Sequence, residues 1–168
     1  MRRAGWPKWK LEHTSCRAST AAHRLRSSHG RLRRIAGRLA MSEEPVTFRP
    51  IGYVENGFDE PAGLDQMRAS ESRILLDPAL VEGLQGLEAG QSIMVIFHFH
   101  RAQGYALRQH PRGDESRPVR GVFALRSPRR PNPIGVTVVD LLMVEGNVLR
   151  VRGLDAINGT PVLDLKPA

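Results

Sequence analysis

Residues 126–135 form the stretch of this chain whose residue types are best suited to chemistry. The stretch combines three arginines, Arg126, Arg129 and Arg130, with three prolines and a final glycine. Proline and glycine restrict the backbone, so the arginines are presented with little further loss of entropy. A guanidinium group matches carboxylates and phosphates in a bidentate geometry. The stretch therefore predicts a rigid cationic loop that binds an anion; the alternative interpretation is a proline-stiffened connection between two strands.

Histidines are a second group of candidates. His98 and His100 alternate within an apolar run, so both imidazoles would lie on one face of a strand, and His110 follows ten residues later. A catalytic zinc ion needs a third protein ligand and one open position, which only His110 or a distant aspartate could supply. Histidines at a strand end also line pockets or bond within the rim of a core. We predict no metal site.

The acidic candidates lie near the end of the chain. Asp155 precedes an Asn-Gly turn, whereas Asp164 and Lys166 are two residues apart and would share one face of a strand. This last pair is either an exposed ion pair, or a carboxylate near a cationic ligand with a lysine near a developing anion. The sequence contains no phosphate-binding Walker loop, nucleophile elbow or dinucleotide fingerprint, so nucleotide hydrolysis and acyl transfer lose their usual support.

Short strands must position these residues. We predict one short helix at 78–84, capped by Asp77, and about seven strands, at 48–54, 72–76, 93–100, 121–125, 136–144, 148–151 and 162–165. In the third strand, Ile93, Val95, Phe97 and Phe99 would share one face. Connections rich in glycine and proline favour an all-β fold, a small antiparallel β-barrel, over alternating β and α units.

Charge divides the chain into two parts. The 168 residues contain 25 Lys and Arg against 17 Asp and Glu, a net charge of +8, but residues 1–40 alone carry +10 and the remainder −2. We therefore predict a disordered basic extension at 1–40 and one barrel domain at 46–168. Three interpretations of the extension are open: a transit peptide, upstream sequence translated from a misplaced start codon before Met41, and an RNA-gripping arm.

Compartment is predicted from the cysteine content and the lengths of the apolar runs. Cys16 is the single cysteine, which excludes an intramolecular disulfide framework and a multi-cysteine zinc site. The longest apolar runs fall far short of the ~20 residues that a membrane-spanning helix needs. We predict a cytoplasmic protein with no membrane partner.

Several of these segments together resemble one family, the TsaA-like (TrmO) methyltransferases. The similarity covers most of residues 48–167, and its most specific parts are Arg-Pro-Asn-Pro-Ile-Gly at 130–135 and Asp-x-x-x-Gly-Thr-Pro at 155–161, in this order. The resemblance implies a small, usually dimeric β-barrel. It also implies a tRNA methyltransferase that uses S-adenosylmethionine to methylate the exocyclic nitrogen of threonylcarbamoyladenosine beside the anticodon.

The resemblance also implies roles for individual residues. The implied cofactor contacts are Phe99, His100, Arg101, Arg126, Val136, Gly153, Leu154 and Asp155. His100, Asp164 and Lys166 compete for the catalytic role of accepting the target proton or stabilising the resulting anion. Arg129 and Arg130 would bind tRNA phosphates, in a salt-sensitive manner, and Phe99 or Tyr105 would stack on the target base.

Two other functions stay open at this point. Family members commonly continue into a further C-terminal domain after the segment matching 164–167, so a barrel that binds S-adenosylmethionine or RNA without catalysis is the first alternative. A metal hydrolase using the three histidines is the second. A homodimer is expected because a barrel of about 128 residues offers little surface for a folded tRNA.

Overall fold

The computed structural model describes residues 45–168. Its elements are β1 (Gly52–Glu55), α1 (Leu64–Ala69), β2 (Glu71–Leu76), β3 (Ser92–His98), β4 (Arg108–Gln109), β5 (Arg120–Gly121), β6 (Ile134–Glu145), β7 (Val148–Arg152) and β8 (Pro161–Pro167). Three 3₁₀ helices, Pro78–Leu84, Pro111–Gly113 and Val122–Ala124, lie in the connections.

Six strands close into an antiparallel barrel in the order β1-β2-β7-β6-β3-β8, while β4 and β5 pair separately. The longest ladder joins β3 to β6, from Ser92 opposite Asp140 to His98 opposite Ile134. The predicted all-β antiparallel barrel is therefore confirmed. Closure leaves no long free sheet edge, which explains how such short strands form a stable domain.

Alternating apolar residues fill the interior of the barrel. On β3, Ile93, Val95 and Phe97 are each no more than 1% exposed, as the sequence predicted for this face. The facing strand β6 contributes Val139 and Leu141, which are also buried. Because side chains alternate along a strand, the intervening residues of both strands point to the outer wall of the barrel.

Some predicted elements differ from the structure. The predicted short helix is present at 78–84 as a 3₁₀ helix, and Asp77 caps it as predicted, its Oδ1 accepting from the Ala79 amide at 3.0 Å. Residues 45–168 also contain one α-helix, α1, which was not predicted from the sequence. The predicted strand at 121–125 is wrong beyond Gly121: only Val122 of its 3₁₀ turn is buried, so no two-sided strand pattern forms.

The barrel has two distinct ends. The connections 56–70, 99–133 and 153–160 meet at the end where β3 finishes and β6 begins, which we call the upper rim. The connections 77–91 and 146–147 lie at the opposite end, and the second is a tight hairpin turn with Gly146 at φ 56°. The upper rim contains most of the residues that the sequence analysis selected.

Candidate functional site

Asp155 is an upper-rim carboxylate that bonds to two separate elements of the fold. Its Oδ1 accepts a hydrogen bond from the Thr137 hydroxyl on β6, and its Oδ2 lies 3.2 Å from the Arg68 guanidinium on α1. The Asp155 carboxylate is therefore fixed by Thr137, whose own position is set by the β6 strand. Asp155 thus binds a cationic group in this structure, and its neighbours orient it towards the rim.

The connection 56–70 lies against two of the residues expected to bind the cofactor. Arg101 donates to the Asp59 carbonyl at 2.6 Å and to Glu60 Oε1 at 2.6 Å. The same connection supplies Arg68 to Asp155. Both contacts are partly exposed, so each contributes modest stability and can exchange for a ligand.

Asn56 and Asn158 join this connection to the turn before β8. The Asn56 amide donates to the Ser72 hydroxyl at 3.1 Å and to the Ala156 carbonyl at 2.9 Å. The Asn158 side chain donates to Asp59 Oδ1 at 3.0 Å. The Asn56 bonds are partly buried and the Asn158 bond is exposed, and together they tie the connection 56–70 to the segment that carries Asp155.

The arginine-rich loop is held in place by Gln109 on β4. The Ser127 hydroxyl donates to Gln109 Oε1 at 2.6 Å, and the Gln109 amide donates to the Arg129 carbonyl at 2.6 Å. Arg130 donates back to the Leu125 carbonyl at 3.3 Å. The predicted rigidity of the loop therefore has a second source besides its prolines.

Arg126 is exposed, and within residues 45–168 it forms no salt bridge. Arg126 and Asp155 both belong to upper-rim connections, but the structure does not bring the two side chains into contact. The connection 99–133 that carries Arg126 has eight arginines and two acidic residues, a net charge of +6. The other two upper-rim connections, 56–70 and 153–160, carry −2 and −1, so the rim as a whole carries +3, whereas residues 45–168 have 14 basic and 14 acidic residues and no net charge.

A cavity of about 360 Å³ opens beside the arginine-rich loop. It is lined by Phe123, Arg130, Pro131, Asn132 and Ile134. Its lining combines apolar side chains with an amide and a guanidinium. Neither Arg126 nor Asp155 lines it, so the cavity is separate from the pair predicted to hold the cofactor.

Gly135 permits two aromatic rings to pack at the start of β6. A Cβ atom there would lie 2.5 Å from Cζ of Phe97 and 2.9 Å from Cζ of Phe99. The two rings pack edge to face, with centroids 5.2 Å apart. The Phe99 ring is therefore packed against Phe97 at the rim of the core, which argues against the predicted stacking of Phe99 on the target base. Tyr105, the other predicted stacking residue, is 59% exposed.

His98 and His100 lie half-buried where β3 ends. Burial lowers the pKa of His98, and burial, the nearby Arg101 charge and His98 together lower the pKa of His100. Both imidazoles are therefore neutral at pH 7. A neutral imidazole on the rim can accept a proton.

These lowered pKa values predict that acid destabilises the fold. In the unfolded chain both histidines regain the ordinary pKa of 6.5, so the unfolded state binds more protons below that pH. We expect the unfolding free energy to be constant above pH 7 and to fall as the pH drops from about 6.5 towards the lowered values. Urea unfolding at pH 7.5, 6.5 and 5.5 measures this.

A double variant, His98→Gln with His100→Gln, should show a flatter profile over this window. Three carboxyl groups also have lowered pKa values, because of hydrogen bonds to arginine for Glu71, to serine for Asp114 and to lysine for Asp164. They titrate below this pH window and so do not affect the comparison. An unchanged slope in the double variant would assign the acid sensitivity to other groups.

Asp164 and Lys166 share one face of β8, as their spacing predicted, and form an ion pair of 2.7 Å on the outer wall of the barrel, which is the first of the two alternatives. Asp164 lies opposite Ile96 of β3, and Lys166 lies opposite Met94. Lys166 holds the pKa of Asp164 below its ordinary value. The pair is therefore outside the barrel and below the rim, whereas Phe99, His100, Arg101 and residues 153–155 are at the rim.

Val136 and Gly153 lie close to the remaining rim residues. Val136 is the third residue of β6, with its side chain 44% exposed on the outer wall. Gly153 adopts φ 99°, and a Cβ there would contact the Val138 carbonyl at 3.7 Å. Leu154 is buried, so a contact from it to a ligand would use its backbone.

Two findings concern metal binding and membrane-spanning helices. Within residues 45–168, no three His, Cys, Asp or Glu side chains are arranged to hold a metal ion; His110 Nδ1 instead pairs with the Arg117 carbonyl at 2.7 Å. No helix in this part of the chain is long and apolar enough to cross a membrane. The predicted extension at 1–40 lies outside the described residues.

Fold and rim together define a class: a small closed antiparallel barrel whose upper rim carries both a cationic, proline-stiffened loop and a carboxylate fixed by hydrogen bonds. Residues 53–168 match the family model described as tRNA-methyltransferase O N-terminal domain. The chain belongs to this family.

Known proteins similar to this chain include curated relatives and solved structures. A probable S-adenosyl-L-methionine-binding protein of Methanothermobacter thermautotrophicus is 43% identical over 131 residues, covering 76% of this chain and 93% of the relative. The human tRNA (adenine(37)-N6)-methyltransferase is 37% identical over 70% of this chain and 29% of its own length. The crystal structure of TrmO from Pseudomonas aeruginosa superposes with a TM-score of 0.57 at 34% identity, covering 74% of this chain and 56% of that one.

Proposed function

We propose that this protein is an S-adenosylmethionine-dependent tRNA methyltransferase that acts on the exocyclic nitrogen of threonylcarbamoyladenosine beside the anticodon. The observation that carries the proposal is the family match over residues 53–168. The names of the relatives support the cofactor and the tRNA substrate. The basic upper rim is in keeping with a polyanionic substrate.

The rim residues suit the charges of the cofactor. Asp155 already pairs with a guanidinium, so its carboxylate suits the ammonium group of the methionyl moiety. Arg126 and Arg101 are the candidates for its carboxylate. His100 and Phe99, with Val136, Gly153 and Leu154, complete the proposed contacts. When bound, S-adenosylmethionine supplies an electrophilic methyl group on a sulfonium.

The target nitrogen is ureido-like and a poor nucleophile, so a group of the protein must accept the proton of this nitrogen during methyl transfer. His100 is our first choice because its imidazole is neutral at pH 7 and lies at the rim. Asp164 and Lys166 lie on the outer wall, so they remain candidates only if they reach the cofactor site of a second copy of the chain in a dimer. Arg129 and Arg130 hold tRNA phosphates, and alignment of the reacting groups supplies most of the rate enhancement.

Two measurements test this function. Titration calorimetry with S-adenosylmethionine should give saturable binding, and radiolabelled methyl groups should reach tRNA that contains threonylcarbamoyladenosine but not tRNA that lacks it. Binding without transfer would favour the alternative, a barrel that binds the cofactor or RNA without catalysis. A folded sample that shows no binding heat would refute the proposal.

We further propose a homodimer joined through the outer wall of β3 and β6. Met94 lies opposite Val138 and Ile96 opposite Val136, and the two valines are 53% and 44% exposed. This forms a continuous apolar face. The outer wall of β2 and β7 is instead charged, since Glu71 bridges arginines of β7 at 2.5 and 3.0 Å. The partner that best fits this face is the same face of a second copy, because pairing the two faces buries the apolar surface of both.

Placing a charge on this face should prevent dimerisation. We expect Val138→Glu to sediment as a monomer at micromolar concentration, because a dimer would bury two unpaired carboxylates. Val81→Glu is the matched control, since Val81 is an exposed valine on the 3₁₀ helix at the other end of the barrel. A wild-type protein that sediments only as a monomer, or a dimeric Val138→Glu variant, would contradict the proposed interface.

A further inference from the structure

Phe123 is the most exposed aromatic side chain among residues 45–168, at 78%. Its neighbour Val122 is 1% exposed, and the Val122 amide donates to the Leu107 carbonyl at 2.9 Å. The Leu125 amide in turn donates to the Val122 carbonyl at 3.1 Å. The turn is therefore anchored on the side opposite the ring, so Phe123 is held outward by a fixed backbone.

The ring forms one wall of the 360 Å³ cavity beside the arginine-rich loop. Pro131 and Ile134 make the cavity apolar, whereas Asn132 and Arg130 supply an amide and a guanidinium. Arg130 forms no salt bridge within the described residues and bonds only to a main-chain carbonyl. An aromatic platform beside hydrogen-bonding groups suits a flat, polar-edged ligand.

A nucleobase has this chemistry. Proteins that bind unpaired RNA stack bases on aromatic side chains or on guanidinium planes and bond to the exposed base edges. The surrounding connection 99–133 carries a net charge of +6, which suits the phosphates flanking such a base. A neutral peptide or a neutral small molecule would make no use of this charge.

We propose that Phe123 and its cavity bind one unpaired base of the RNA substrate, stacked on the ring with its edge towards Asn132, while Arg130 holds the phosphate beside that base. This inference rests on the proposed function, since it assumes that RNA is the substrate. It adds a contact that is separate from Arg126 and Asp155 and therefore from the proposed cofactor site. The base is a loop nucleotide, because a paired base cannot leave its stack without cost.

Fluorescence anisotropy with two RNA probes tests the inference: an anticodon stem-loop and a fully paired duplex of equal length. Phe123→Ala should weaken binding of the stem-loop roughly fivefold to thirtyfold, within the range for loss of one stacked base, and leave duplex binding unchanged. Phe123→Trp should retain wild-type affinity. Leu80→Ala, an exposed apolar residue at the opposite end of the barrel, is the control.

Each other outcome is informative. An unchanged stem-loop affinity, or an equal loss for the duplex, would overturn the inference while leaving the methyltransferase proposal intact. Weaker S-adenosylmethionine binding by Phe123→Ala would overturn it too, because the cavity would then belong to the cofactor. Wild-type protein that binds neither the stem-loop nor S-adenosylmethionine would refute the proposed function and, with it, this contact.

Discussion

Asp155→Asn should bind S-adenosylmethionine about 10- to 150-fold more weakly than the wild-type protein. The substitution keeps the shape of the side chain but removes the negative charge, and hydrogen bonds to charged groups contribute about 1.5–3 kcal/mol. Titration calorimetry measures the change. The fold should survive, because Asp155 is partly exposed and its bond with Thr137 can be made to an amide oxygen.

Two further variants separate direct binding from an indirect effect. Glu88→Gln makes the same change from carboxylate to amide in the connection 77–91, at the other end of the barrel, where Glu88 is exposed, and should bind normally. Arg68→Ala removes the guanidinium that Asp155 holds. If Asp155 contacts the cofactor, Arg68→Ala retains affinity; if Asp155 serves only to hold Arg68, both variants lose affinity equally and the proposed contact is wrong.

Gly135→Ala should destabilise the protein by about 3 kcal/mol, at the upper end of the range for overpacking a core. The added methyl group would overlap Phe97, which is 1% exposed and cannot move without opening the barrel interior. It would also press on Phe99, directly before His100. Urea denaturation measures the loss of stability, and methyl transfer at a temperature where the variant is folded measures the effect on the rim.

Gly83→Ala is the matched control for this substitution. An added Cβ there meets no atom within 4 Å, and Gly83 has no positive φ. Its stability should equal or slightly exceed that of the wild-type protein, since alanine reduces the entropy of the unfolded chain. A Gly135→Ala variant as stable as Gly83→Ala would show that the two rings can repack.

Much of the barrel could be predicted because its strands alternate. In β3 the apolar residues recur at every second position, which fixes both the element and its inward face. The segment 121–125 has similar residues but a different structure, since its hydrogen bonds run within a turn and to Leu107. A short apolar run cannot distinguish these cases, because the difference lies in which partner segment is available.

The rim was only partly predictable for a different reason. Arginines and prolines at 126–133 are visible in the sequence, but the contacts that position them join distant residues. Arg68 meets Asp155 across 87 residues, and the Asn56 side chain reaches Ala156 across 100. Nothing local in either segment specifies such a pairing. The exposure of Phe123 likewise depends on the anchoring of Val122, which the sequence does not reveal.

The uneven distribution of charge also bears on how this barrel meets another molecule. Residues 45–168 are neutral overall, yet the connection 99–133 carries +6 and the connection 77–91, at the far end, carries −3. Such a body is an electric dipole directed along the barrel axis. The electric field of a polyanion orients the barrel before contact, so a large share of encounters begin with the arginine-bearing upper rim facing the polyanion.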